Sequence, residues 1–228
     1  MKGATLDALL EAGAGRKSLV RLVWLDDGHE QLVASSAELG DDASLSRAVD
    51  GALASDRGQL LETGGRPVFV HPFTPALRLV IIGAVHIAQR LSVLARDLGY
   101  RVTIVDPRRG FLTAARFPGV ALSHAWPLEA LDAHGLDEHC ALVALSHDPK
   151  IDEPALEVGL RSACFYIGAL GSQRTQAKRR ARLLEAGIDE AALERIHGPV
   201  GLDIGARGPA EIALSIAAEM TGCLRKPT

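Results

Sequence analysis

The stretch LRLVIIGAVHIAQRLSVLARDLGYRVTIVD, residues 77–106, decides the fold. Residues 77–82 form a short β-branched apolar run with no polar alternation, the pattern of a strand buried on both faces of a parallel sheet. Gly83 ends it. Ile87, Leu91, Leu94, Ala95 and Leu98 then recur at helical spacing, which predicts a helix over 87–98 stopped by Gly99. Residues 101–105 form a second apolar strand, closed by Asp106. In a dinucleotide-binding fold the N-terminus of such a helix receives a pyrophosphate, and the acid after the second strand hydrogen-bonds a ribose. Asp106 follows Gly83 by 106 − 83 = 23 residues, against about 20 in that fingerprint. The third position of G-x-G-x-x-G is Val85 here, and a branched side chain there should obstruct the close approach of a pyrophosphate. The β–α–β unit stands on this pattern. Dinucleotide binding does not follow from it.

Bulk properties exclude several function classes. The chain has 228 residues, 47% hydrophobic and 23% charged, with a formal net charge of −3. That composition describes an ordinary globular protein, and the charge gives no general drive toward nucleic acid or an anionic membrane. No apolar run is long enough to span a bilayer, and the N-terminus lacks a signal-peptide core, so a cytoplasmic location is expected. Cys140, Cys164 and Cys223 form no C-x-x-C pair, and Cys140 and Cys164, in or beside strand-like runs, read as small buried hydrophobes.

Working outward, helices are expected over 5–12 and 43–54 and strands over 19–25, 31–34 and 66–70, a small α+β piece. The segment His71-Pro72-Phe73-Thr74-Pro75 reads as an extended linker because of its two prolines. The domain boundary is placed there, giving 1–75 and 76–228. Beyond Asp106, strands are expected over 120–123, 140–145 and 164–167 and helices over 128–133 and 151–160. Strands alternating with helices predict an α/β fold, a Rossmann-like doubly wound parallel sheet. Ligands bind such sheets beyond the carboxyl ends of the strands. The residues to watch are therefore 83–86, Asp106, 146–148 and 168–174.

At those ends Gly168, Gly171 and Ser172 start a helix that Ser172 can cap. Arg174, Lys178 and Arg182 recur on one face of it. Two readings stand: an anion site made of free amides, helix dipole and cations, or a capped helix with a solvated basic face. The second is assigned to Arg179, Arg180 and Arg182. His147 can serve as a proton shuttle, a metal ligand or a base-edge contact, whereas Asp148, ahead of Pro149, suits a turn and helix entry. Asp152 is a residue of the following helix start, and His86 would face a ligand bound at the first turn. The run from His197 to Pro209 is dense in glycine, with Gly201, Asp203 and Gly205 at its centre. It suits either a close backbone approach to a ligand or a tight return loop. Pro209 then opens a last helix with Ile212, Ile216 and Met220 on its apolar face. No nucleophile or metal-binding spacing is visible.

Taken together, the segments LVIIGAVHIAQ, VTIVDPR, LSHDPKIDEPAL, YIGALGSQRT and HGPVGLDIGARGPAEIALSIAAE resemble the C-terminal Rossmann domain of the XdhC/CoxI family of xanthine dehydrogenase accessory proteins. The likeness covers residues 77–222, about two thirds of the chain. It implies transient binding of the molybdenum cofactor, as molybdopterin or its cytosine dinucleotide form. It further implies protection of that cofactor during sulfuration and delivery to an apo molybdenum hydroxylase of the xanthine dehydrogenase type. The cofactor-binding residues would be Gly83, His86, Asp106, His147, Asp148, Gly168, Gly171, Ser172, Arg174, Lys178, Gly201, Asp203 and Gly205, with no catalytic residue and no metal ligand. The implied partners are the apo-hydroxylase and a cysteine desulfurase, with a homodimer as the assembly and NAD(P) not bound. Two departures stand out. The family's G-A-G-H reads G-A-V-H here, and its N-terminal G-S-S-P-R and S-G-G-C-V-E stretches are missing from residues 1–75. An NAD(P)-dependent oxidoreductase and a cofactor-free scaffold for hydroxylase maturation are the alternatives.

Overall fold

Residues 3–225 are described by the computed structural model, and they fall into two units that separate between Pro75 and Ala76. The first unit holds α1 (Gly3–Ala14), β1 (Leu19–Trp24), β2 (Glu30–Val33), α2 (Ala43–Ser55), β3 (Gln59–Thr63) and β4 (Arg66–Phe73). Its antiparallel sheet has the order β2-β1-β4-β3. Leu45, Val49 and Ala52 of α2 pack on Val20, Leu22, Val68 and Val70 of the sheet, as alternation along β1 and β4 dictates. Asp42 accepts the amides of Ser44 and Leu45 and so caps α2.

Two expectations fail in this unit. Strand β3 is unread in the sequence, and it joins β4 through Gly64 and Gly65, both at positive φ. The supposed linker also belongs to the sheet as far as Phe73, with Pro72 opposite Val20 of β1. Proline is tolerated there because β3 pairs with β4 only as far as Val70, so Pro72 needs no second ladder partner.

The second unit holds β5 (Arg78–Ile82), α3 (His86–Asp97), β6 (Arg101–Val105), β7 (Ala121–Ser123), α4 (Pro127–His134), β8 (Cys140–Ala144), α5 (Pro149–Leu160), β9 (Tyr166–Ala169), α6 (Gln173–Glu185), α7 (Glu190–Leu193), β10 (Ile196–His197) and α8 (Pro209–Arg225). The sheet is parallel with the order β10-β9-β8-β5-β6-β7. The chain thus starts at a central strand, moves outward through β6 and β7, then returns to the other side of β5. That is the Rossmann order, and the reversal between β5 and β8 is its switch point.

Every residue of β5 and β8 is buried, because helices cover both faces. Leu79 and Ile81 meet Leu91 of α3 and Ile216 and Met220 of α8. Val80 and Ile82 belong to the opposite core, with Ile151 and Leu156 of α5 and Leu183 of α6. Strand β9 lies two residues later than the 164–167 expected from sequence. Arg195 donates to the carbonyls of Leu160 and Cys164, and Ser162 Oγ accepts the Cys164 amide, so those residues belong to a pinned turn. The shift places Gly168 inside the strand. Cys140 and Cys164 are buried, as expected of small hydrophobes.

Candidate functional site

Because the strands run parallel, the turns after β5, β8 and β9 and the loop after β10 all open at one edge of the sheet. The turns after β5 and β8 touch. Gly83 has φ +102, and a Cβ on it would lie 2.7 Å from the Ser146 backbone. Its missing side chain is thus required by a neighbouring turn.

Ser146 and His147 are held from beneath by Asp152, which is 1% exposed. Its carboxylate accepts the Ser146 amide (3.1 Å), the Ser146 hydroxyl (2.7 Å) and the His147 amide (3.1 Å). His147 is exposed and takes the left-handed conformation, φ +63, unusual for a non-glycine residue. Asp148 caps α5 through the Lys150 amide, the bland role of its two. Arg179 lies 3.9 Å from Asp152 and donates to the Leu170 carbonyl and to Gln176 Oε1. Gln176 in turn donates to the Ala169 carbonyl. Burial pushes the Asp152 carboxyl above its ordinary range and the Arg179 guanidinium below its own, since each charge is removed from water. This pair joins the turn after β8 to the turn after β9. The sequence reading of Arg179 as a solvated cation is therefore overturned. Arg180 and Arg182 form surface ion pairs with Glu190, Glu194 and Glu153.

Asp106 is completely buried. It accepts the Ala84 amide at 2.8 Å and grips Arg108 through the backbone amide, Nε and Nη2. Burial opposes its ionisation, but Arg108 and the Ala84 amide outweigh that and hold the carboxyl below the usual carboxylate range. Both oxygens serve the chain itself, so the geometry gives no ribose contact at this acid. Gly168 is likewise buried in β9, where a Cβ would collide with Val200 and the Tyr166 ring. It serves packing, and its expected place in an open glycine loop is corrected.

The helix starts differ in what occupies their amides. Asp148 caps α5, Ser172 Oγ accepts the Thr175 amide of α6 at 3.3 Å, and Glu211 accepts the amides of Arg207 and Gly208 ahead of α8. Helix α3 starts at Val85 with no side-chain acceptor on its first amides. Val85 has extended backbone, open to any residue, and its side chain is half-buried against the core.

Two hollows flank this region. One, of about 300 Å³, lies between His86, Gln89 and Arg90 of α3 and the start of α8. The other, of about 430 Å³, runs under the glycine-rich loop and is lined by Gly201, Asp203, Gly205, Leu170 and Gln173 among others. The expected residues Gly83, His86, His147 and Asp148 thus gather at the switch point, and Gly201, Asp203 and Gly205 at the second hollow. Gly171 and Ser172 stand at the start of α6, while Arg174 and Lys178 lie exposed along it and line neither hollow. Sequence reasoning missed the Asp152–Arg179 pair and the Glu211 cap. The one available signal was that Glu211 follows Gly208 by three residues, the spacing at which a carboxylate reaches back to a helix start.

Residues 79–220 match the family of the XdhC Rossmann domain. The chain is 33% identical over 174 residues to the protein YqeB of Escherichia coli (strain K12), described as uncharacterised, covering 74% of this chain and 30% of that one. It is 34% identical over 154 residues to a probable xanthine dehydrogenase subunit of Bacillus subtilis (strain 168), covering 67% and 44%. To the molybdenum cofactor insertion chaperone PaoD of Escherichia coli (strain K12) it is 32% identical over 148 residues, covering 65% and 40%. The chain spans less than half the length of these curated relatives. A crystal structure of a xanthine dehydrogenase from Bacillus halodurans shares the fold, with a TM-score of 0.72 at 23% identity over 99% of this chain and 65% of that one.

Proposed function

The chain belongs to the XdhC family through its Rossmann domain, and on that premise we propose that it is a molybdenum-cofactor chaperone for a xanthine-dehydrogenase-type hydroxylase. The cofactor is its cargo: a pterin bearing a phosphate, or a pyrophosphate in the dinucleotide form. The observation that carries this reading is the uncapped start of α3 at the switch point, opening on the hollow that His86, Gln89 and Arg90 line. Free amides at a helix N-terminus suit a phosphate, and the larger hollow under the glycine-rich loop suits a flat ring system. His86 and His147, both exposed at this edge, are the side chains placed to meet the cargo. Arg174 and Lys178 would act on it only at longer range.

NAD(P) fits less well. The acid that would bind its ribose is buried and gripped by Arg108. An apo-hydroxylase as recipient, a cysteine desulfurase as a second partner, a homodimer and a cytoplasmic location belong to the same proposal.

The test is purification from a host that makes the cofactor, followed by oxidation and pterin fluorescence, with PaoD in parallel. Substoichiometric pterin and molybdenum are expected. A blank beside a positive PaoD would leave a cofactor-free scaffold. Micromolar NAD binding with hydride transfer would establish the oxidoreductase instead.

A further inference from the structure

We propose that Glu219, His197 and Cys223 form a thiol-activating relay, and that Cys223 exchanges with the disulfide of a small thiol. These residues lie apart from the switch point and take no part in the cargo reading. Glu219 and Cys223 are four residues apart on α8 and so share one face of the helix. The His197 ring lies against that face, with Nδ1 3.3 Å from Glu219 Oε1 and Nε2 3.6 Å from Cys223 Sγ.

The imidazole is held on every side that matters. Its backbone pairs with β9 at Gly168, and its ring stacks on Tyr166 with centroids 4.6 Å apart. The orienting carboxylate is fixed in turn, because Glu219 Oε2 accepts the Tyr166 hydroxyl (2.5 Å) and the Gly201 amide (2.8 Å). Burial opposes ionisation of Glu219, but His197, Tyr166 and Gly201 together hold it below the usual range. An ionised Glu219 takes the proton on Nδ1, which leaves Nε2 as an acceptor facing the thiol. A nucleophile, a base and a group that orients the base is the arrangement of an activated nucleophile.

Burial and the charge of Glu219 both push the Cys223 thiol up, so it rests protonated and reacts only with help from its base. His197 Nε2 takes the thiol proton as Sγ attacks one sulfur of the incoming disulfide. One S–S bond forms as the other breaks, and the departing thiolate receives that proton. The products are a mixed disulfide at Cys223 and one free small thiol, with no outside oxidant. Among the described residues, the other charged or titratable groups around the pair are Arg225 on α8, Tyr166 on β9 and Tyr100 ahead of β6. Burial pushes Tyr100 up to about 12, so it does not titrate in the working range.

The test is the folded, full chain with a chromogenic aromatic disulfide, then with glutathione disulfide. One thiol should react, and Cys223→Ser should abolish the reaction while buried Cys140 and Cys164 stay silent until denaturant is added. The rate should already rise below the ordinary thiol range, about 8.5. His197→Asn should lower the rate near neutral pH at least tenfold and move the rise into the thiol range, and Glu219→Gln should do the same more weakly. A native profile that rises only through the thiol range overturns the relay even if the variants do not fold. So does a rate unchanged by His197→Asn, or a native chain in which no thiol reacts.

Discussion

The starts of α3 and α6 each follow a buried strand through a glycine, and they differ in what caps them. The first has Val85 where a dinucleotide fingerprint has glycine, and it carries few charges. The second has Gly171 and Ser172 followed by Arg174 and Lys178, which makes it the better anion site on paper. Yet Ser172 already occupies an amide of α6, while the amides of α3 have no side-chain acceptor. Glycine count and nearby charge describe how readily an anion could approach. Whether any amide is free to receive it depends on the cap, and there the two helices part.

The largest effect should come from removing what both turns stand on. Asp152→Ala strips three hydrogen bonds from Ser146 and His147 and leaves Arg179 buried without its counter-charge. A loss of about 3–5 kcal/mol is expected in denaturant unfolding. A loss under about 1 kcal/mol would mean that the two turns hold themselves.

Next comes the contrast between the two glycines. Gly83→Ala forces a Cβ onto Ser146 backbone at φ +102, which should cost roughly 2–4 kcal/mol. Gly171→Ala, at φ +135, meets the Thr175 methyl at 2.9 Å and Cβ at 3.0 Å, an exposed side chain and not another turn's backbone, so about 1–2 kcal/mol is expected. Equal melting-temperature losses would remove the distinction.

A third pair acts on cargo and stability in opposite directions. Val85→Asp supplies the cap that α3 lacks and should reduce bound pterin at least tenfold, about 1.4 kcal/mol, with little loss of stability. Ser172→Ala removes the cap of α6, costs about 1 kcal/mol in stability, and should leave pterin content unchanged. The reverse pattern would return the anion site to α6.

The smallest effect concerns pH. Asp106 holds its proton less tightly when folded, so its contribution is complete above the ordinary aspartate value of about 3.9 and declines as pH falls below it. Denaturant midpoints of the native chain and Asp106→Asn should therefore converge as pH is lowered from about 6 to about 3. A constant gap would show that this carboxylate's charge does nothing for the β5–α3 turn.

Much of the fold was legible because it rests on local pattern. The all-apolar runs of β5 and β8 mark strands covered on both faces, and the helical spacing of α3 survives intact. What was not legible depends on contacts between distant residues. Pro72 looks like a linker until one knows that β3 ends opposite Val70. Arg179 looks like one more base in a basic helix, and only the packing of α6 decides that this one turns inward to Asp152. Gly83 was noticed for a ligand, whereas the structure ties it to Ser146. The relay of Glu219, His197 and Cys223 was invisible for the same reason, since its members come from a strand end and two turns of a helix.

On the proposed reading, the uncapped start of α3 also makes the empty protein less stable than the same protein loaded. Whatever anion settles on those amides binds the folded chain and not the unfolded one, so each tenfold excess over its dissociation constant adds about 1.4 kcal/mol to stability. Thermal resistance and cargo occupancy are then one quantity read in two ways. A chain that loses its cargo would unfold, and be cleared by proteolysis, sooner than one that still carries it.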